Sequence, residues 1–153
     1  FPDIDNLTRI HNPRGSDCSA EDFSTDIRWL HENMYQNAFY LDDKKYYISD
    51  EARSSGGKHA PFFNIENKGQ GVIVAIGWTG QWNCEITRNE ETVTVKSKIE
   101  DTHFRLLPGE KIRTSSFVVM PYDGTVIQSH NKWRRLLKKH YSNVLYQHLH
   151  ENE

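Results

Sequence analysis

The stretch Val72-Ile73-Val74-Ala75-Ile76-Gly77-Trp78-Thr79-Gly80-Gln81-Trp82 decides how this chain is read. It opens with an unbroken apolar, largely β-branched run that stops at a glycine. Such runs, bounded by turn residues, read as buried strands. A strand that is apolar at every position is covered on both faces or lies centrally in its sheet. Gly77 permits a bend that re-aims the next side chain. Thr79-Gly80 turns the chain, and Trp82 re-enters the sheet in phase with Cys84 and Ile86. Phase with two apolar residues means inward. The sequence therefore predicts a buried Trp82, and a Trp78 at a strand end, partly accessible beside Gln81. Tryptophan and glutamine at a strand mouth suit a sugar, whose C–H face lies on the ring while the amide bonds its hydroxyls. They are equally ordinary members of a sandwich core.

Outward from this stretch the pattern is that of consecutive short strands. Trp82, Cys84 and Ile86 alternate with Asn83, Glu85 and Thr87, and Val93, Val95 and Ile99 alternate with Thr92, Thr94, Lys96 and Lys98. Period two puts one set inside and the other in water. Gly69-Gln70-Gly71 reads as a hairpin turn and Arg88-Asn89-Glu90-Glu91 as another. Residues 102–107 and 115–120 read as two further strands, joined through Pro108-Gly109-Glu110. Lys45-Tyr46-Tyr47-Ile48 reads as a strand, and Arg53-Ser54-Ser55-Gly56-Gly57-Lys58 as a flexible loop. From Val126 the period changes: Val126, His130, Trp133, Leu137, Tyr141 and Val144 follow helical spacing, which predicts a helix over 126–146. The expected fold is mostly β, an antiparallel sandwich. It occupies residues 1–125, of which 1–44 are loop-rich, and is followed by a C-terminal helical segment, 126–153.

Composition narrows the function classes. With 153 residues, 36% hydrophobic, the chain can bury one sizeable core. Net charge is -2, and eleven acids against seven bases in residues 1–60 leave that part at -4. That field gives no reason to expect nucleic acid as a partner. No apolar run approaches membrane-spanning length, so no membrane partner is expected. Phe1-Pro2-Asp3-Ile4-Asp5 has neither a basic start nor an apolar h-region, so the expectation leans slightly to the cytoplasm. Cys18 and Cys84 form no disulfide framework and no metal spacing, and read as two reduced thiols. Asn6-Leu7-Thr8 matches the glycosylation pattern and is read as chance.

Catalytic machinery is hard to find. Lys132, Arg134, Arg135, Lys138 and Lys139 read as the solvated face of a helix rather than a phosphate site. The eight histidines show no metal-ligand spacing, and no cofactor is implied. Ser54 and Ser55 have no local base to activate them. Acids are plentiful, yet they read as turn and outward-facing residues rather than as the convergent pair that glycoside hydrolysis needs. No catalytic residue is assigned.

Five segments in order carry a resemblance: Arg53-Ser54-Ser55, Pro61-Phe62-Phe63, Gly77-Trp78-Thr79-Gly80-Gln81-Trp82, Leu107-Pro108-Gly109-Glu110-Lys111-Ile112-Arg113-Thr114 and Asn131-Lys132-Trp133-Arg134-Arg135. Over about residues 45–141 the chain resembles the N-terminal domain of α-galactosidases of glycoside hydrolase family 36. The resemblance implies a β-supersandwich with a linking helix that leads into a catalytic (β/α)₈ barrel carrying the family's aspartates. It implies a non-catalytic domain that supports the barrel, builds homo-oligomer contacts and helps shape the entrance for an α-galactoside. By position, Arg53, Ser54 and Ser55, with Trp78 and Gln81, are the candidates for that entrance. The alternative is a free-standing carbohydrate-binding module using Trp78 and Gln81.

Overall fold

The computed structural model describes residues 8–16, 18–22, 24–29, 45–50, 58–88, 92–99 and 102–142. They form eight strands and one helix: β1 Arg9–Pro13, β2 Thr25–Trp29, β3 Lys45–Asp50, β4 Phe62–Asn67, β5 Gln70–Gly77, β6 Trp82–Arg88, β7 Val93–Ile99, β8 Ser116–Asp123 and α1 Val126–His140. All pairings are antiparallel. One sheet has the order β2-β1-β4-β5-β8, the other β3-β6-β7. The fold is thus mostly β, with a C-terminal helix and no closed barrel.

The apolar run around Val74 is the interior strand β5, hydrogen-bonded to β4 on one side and β8 on the other. Its two faces serve different layers. Val74 and Ile76 point between the sheets and pack with Ile10, Phe63, Ile65, Trp82, Cys84 and Ile86. Ile73 points outward and packs with Tyr122 and Trp133 under α1, joined by Phe62, Ala75, Val118, Met120, Leu136 and Leu137. The continuous apolar sequence of β5 follows from this, because alternate residues feed two cores.

β4 and β5 are joined by the two residues Lys68 and Gly69, both at positive φ (48° and 80°). That backbone has the right-handed twist of its strands built in, and glycine takes the second position without strain. The turn therefore lies one residue before the expected Gly69-Gln70-Gly71, and Gln70 and Gly71 already belong to β5. Burial along β6 alternates as the sequence predicts, with Trp82, Cys84 and Ile86 each fully buried. Along β7, Thr94, Lys96 and Lys98 face water.

Three sequence expectations are corrected. Residues 102–107 are not a strand: 102–114 form an irregular, fully exposed connection from β7 to β8. The Pro108-Gly109 turn is present within it, with Gly109 at φ 88° and the Glu110 N–H donating to the Leu107 carbonyl at 3.0 Å. Proline then glycine at positive φ is the signature of a type II turn. The strand expected at 115–120 runs longer, Ser116–Asp123. The acidic, turn-rich first third contributes β1 and β2 to the larger sheet.

The helix starts at a capping box. Thr125 accepts from the Gln128 N–H at 3.2 Å, and the Gln128 side chain accepts from the Thr125 N–H at 3.0 Å. Two otherwise orphaned donors are satisfied in this way. At the far end Lys138, Lys139 and His140 suit the negative end of the helix dipole. α1 ends at His140, capped by Tyr141, short of the expected 126–146 span; residues 143–146 lie outside the described residues.

Candidate functional site

The predicted entrance is only partly placed. Arg53, Ser54 and Ser55 lie outside the described residues. Trp78 follows the last residue of β5 and is partly buried, packed against the inter-sheet core. Its indole folds back over the bend: a Cβ at Gly80 would come within 3.0 Å of Trp78 Nε1. Gln81 is also partly buried, immediately before β6. Trp82 is fully buried. Trp78 is thus only partly accessible, a smaller platform than a fully exposed stacking tryptophan provides.

A second constellation was not foreseen. On the outer face of the large sheet, beneath α1, polar side chains replace apolar ones. β4 alternation puts Phe62, Asn64 and Glu66 on this face, and register places His11 of β1 opposite Asn64 and Arg9 opposite Glu66. Tyr122 O–H donates to Asn64 Oδ1 at 2.9 Å. Asn64 Nδ2 donates to Ser129 Oγ at 3.2 Å, with His130 Nε2 at 3.4 Å. Ser129 Oγ in turn donates to the Val126 carbonyl at 2.8 Å. This chain of bonds ties β8, β4 and the first turn of α1 together. Chains of this kind polarise one another and gain strength in a low dielectric.

Beside it stands the one buried carboxylate among the described residues. Glu66 is 5% exposed and pairs with Arg9 at 2.8 Å. Nearly all acids are expected in turns or on the outward face, and Glu66 is an exception. The reason is that the face carrying Glu66 is covered. His11 lies 3.7 Å from the same carboxylate, and its buried Nε2 makes no hydrogen bond. Burial pushes the His11 imidazole below its ordinary range, against the pull of Glu66. Burial also lowers His130, with His11 and Arg134 adding to the effect. Tyr122 is raised, chiefly by burial.

This cluster lacks the carboxyl pair of glycoside cleavage. Glu66 is matched with a guanidinium, whereas glycoside cleavage needs a second carboxyl facing the first across a substrate. Among the described residues no group of three or more His, Cys, Asp or Glu converges as a metal site. An open depression of about 330 Å³ is lined by Gln70, Gly71, Pro121, Tyr122 and Asp123, and it holds a single acid. Cys18 is an exposed free thiol; Cys84 is buried, its thiol pushed up to about 12 by burial, so it is no nucleophile at neutral pH. Structurally the network is a tie, and Tyr122→Phe tests its strength. With Asn64 Oδ1 left unpaired in a buried site, stability should fall by about 1–2 kcal/mol in urea unfolding. A change near zero would mean that the bond contributes nothing.

The most conspicuous surface feature is apolar. Phe104 (55% exposed), Leu106, Leu107 and Ile112 stand out along the β7–β8 connection, and Phe117 and Val119 along the edge strand β8. On α1, Trp133 is buried and Leu136 and Leu137 pack on the sheet, while Ile127 in the first turn is exposed. Lys132, Arg134, Arg135, Lys138 and Lys139 all face solvent, as the charge pattern predicts.

No family model, curated protein or solved structure matches this chain.

Proposed function

We propose that this chain is a non-catalytic β-domain of an α-galactosidase-like glycoside hydrolase, seated against a catalytic (β/α)₈ barrel of the same parent chain. The observation that carries the reading is the exposed strip Phe104, Leu106, Leu107, Ile112, Phe117 and Val119. It runs through the Leu107-Pro108-Gly109-Glu110-Lys111-Ile112-Arg113-Thr114 segment on which the resemblance rests. Exposed apolar side chains gathered in one segment and the neighbouring edge strand are the kind of surface that marks an interface. The Pro108-Gly109 turn, braced by the Leu107 N–H donating to Glu110 Oε2 at 2.8 Å, gives the strip a defined backbone. The antiparallel sheets and the C-terminal helix agree with the fold that the resemblance implies. Trp78 and Gln81 then stand near a substrate entrance, with an α-galactoside as the class of ligand, and homo-oligomer contacts belong to the same proposal. A free-standing carbohydrate-binding module is the second reading. It rests on the open part of Trp78 alone.

The isolated chain should turn over no aryl α-galactoside, since no convergent carboxylate pair is present among its described residues. In the parent protein, Leu106→Glu with Val119→Lys should split one calorimetric unfolding transition into two, the barrel melting separately. Turnover by the isolated chain, lost on substituting one of its own acids, would overturn the proposal. So would a parent reading frame without a barrel. Galactose binding by the isolated chain, abolished by Trp78→Ala, would instead establish the second reading.

A further inference from the structure

We propose that His11 and His130 form an acid-sensitive latch holding α1 on the outer face of the five-stranded sheet. The geometry is that of a lock built for neutral imidazoles. The rings meet edge to face, centroids 6.4 Å apart, one on β1 and the other on α1. Because Tyr122 O–H occupies Asn64 Oδ1, the Asn64 amide turns its N–H groups toward Ser129 and His130. His130 Nε2 must therefore present its lone pair. A proton there sets donor against donor at the joint between sheet and helix.

The groups facing the pair act in both directions: Glu66 favours a proton on His11, whereas Arg9 opposes it, and Arg134 opposes one on His130. Among the described residues they are Arg9 on β1, Asn64 and Glu66 on β4, Tyr122 on β8, and Ser129 and Arg134 on α1. The one anion, Glu66, is already held by Arg9 at 2.9 Å, through a bond from Nε. A proton on His11 thus adds a second cation to an occupied carboxylate, beside His130 and with Arg134 beyond it. His11 Nε2 itself is buried and makes no hydrogen bond.

The sign follows from the direction of both shifts. Each histidine is lowered in the folded chain from an ordinary value of 6.5, so the unfolded or undocked state binds protons more readily. The docked state is at full stability above that value and loses stability as pH falls below it toward the folded-state values. Undocking releases Trp133, Leu136 and Leu137 from Ile73, Phe62 and Met120, while the inter-sheet core shares none of these residues. The helix can therefore leave without the sandwich unfolding.

Amide hydrogen exchange of the intact chain at pH 7.5 and pH 5.0, corrected for intrinsic rates, provides the test. Opening of the segment 126–140 should rise at least tenfold at the lower pH, with β4 and β5 unchanged. In His11→Gln/His130→Gln the rise should vanish. Unchanged protection of α1 in the wild type, or the same rise in the double variant, would overturn the latch. Should the double variant not fold, NMR titration of the wild-type imidazoles decides. Both must titrate below 6.5 in step with the α1 amide shifts, and titration without response in α1 refutes the proposal.

Discussion

Replacing Trp82 with alanine is expected to cost about 3–5 kcal/mol, the range for deleting a buried large aromatic. The indole is fully buried in the inter-sheet layer with Ile10, Phe63, Ile65, Val74, Ile76, Cys84 and Ile86. Its neighbours come from β1, β4 and β5 on one sheet and β6 on the other, so few can move to fill the void. A domain of this size has a total stability of about 5–15 kcal/mol, so the variant should be near the limit of folding. Trp78→Ala removes a side chain that is partly in water already, and about 1–2 kcal/mol is expected. Urea unfolding of both variants at one pH, followed by circular dichroism, checks the ranking. Equal losses would make Trp78 as much a core residue as Trp82 and remove its claim to a ligand.

Gly71→Ala should be nearly as damaging, for the opposite reason. A methyl group at this position would lie 2.4 Å from the Tyr122 ring and 2.7 Å from the Ile65 carbonyl oxygen. The carbonyl belongs to the β4 backbone and cannot yield without disturbing the β4–β5 ladder. Tyr122 can yield only by giving up Asn64. Overpacking at about 1–3 kcal/mol, together with about 1 kcal/mol for the lost bond, gives about 2–4 kcal/mol. Gly71→Ala with Tyr122→Leu should be less destabilised than the sum of the two single changes, since the second relieves part of the first. Strict additivity in that cycle would place the strain elsewhere.

The strands around Trp82 were legible because their chemistry is local. The alternation of β6, the apolar run of β5 and the change of period at Val126 each lie within one element. Residues 102–107 misled for the same reason. Phe104 and Leu106 alternate with His103 and Arg105 as a strand would, but among the described residues no neighbouring strand takes them up and they stand exposed. A period of two is necessary for a half-buried strand and says nothing about a partner. The polar network beneath α1 was missed because register makes it. His11 and Asn64 are opposite each other only once β1 pairs with β4. A hint existed in Phe62, Asn64 and Glu66, three residues of one strand face, two of them polar, in a strand whose other face carries Phe63 and Ile65. Such a face looks solvated until an amphipathic helix is found to cover it. Arg53, Ser54 and Ser55, outside the described residues, stay with the resemblance alone.

The two-sided burial of β5 has a consequence for how this sequence can drift. Val74 answers to Trp82 and Phe63 between the sheets, while its neighbour Ile73 answers to Trp133 and Tyr122 under the helix. Adjacent positions in the chain thus belong to separate packing problems, each with its own set of compensating partners. Substitutions in one layer can be repaired within that layer and remain additive with changes in the other. Over evolutionary time the strand can be rewritten as two interleaved sequences, odd and even, each selected against different neighbours.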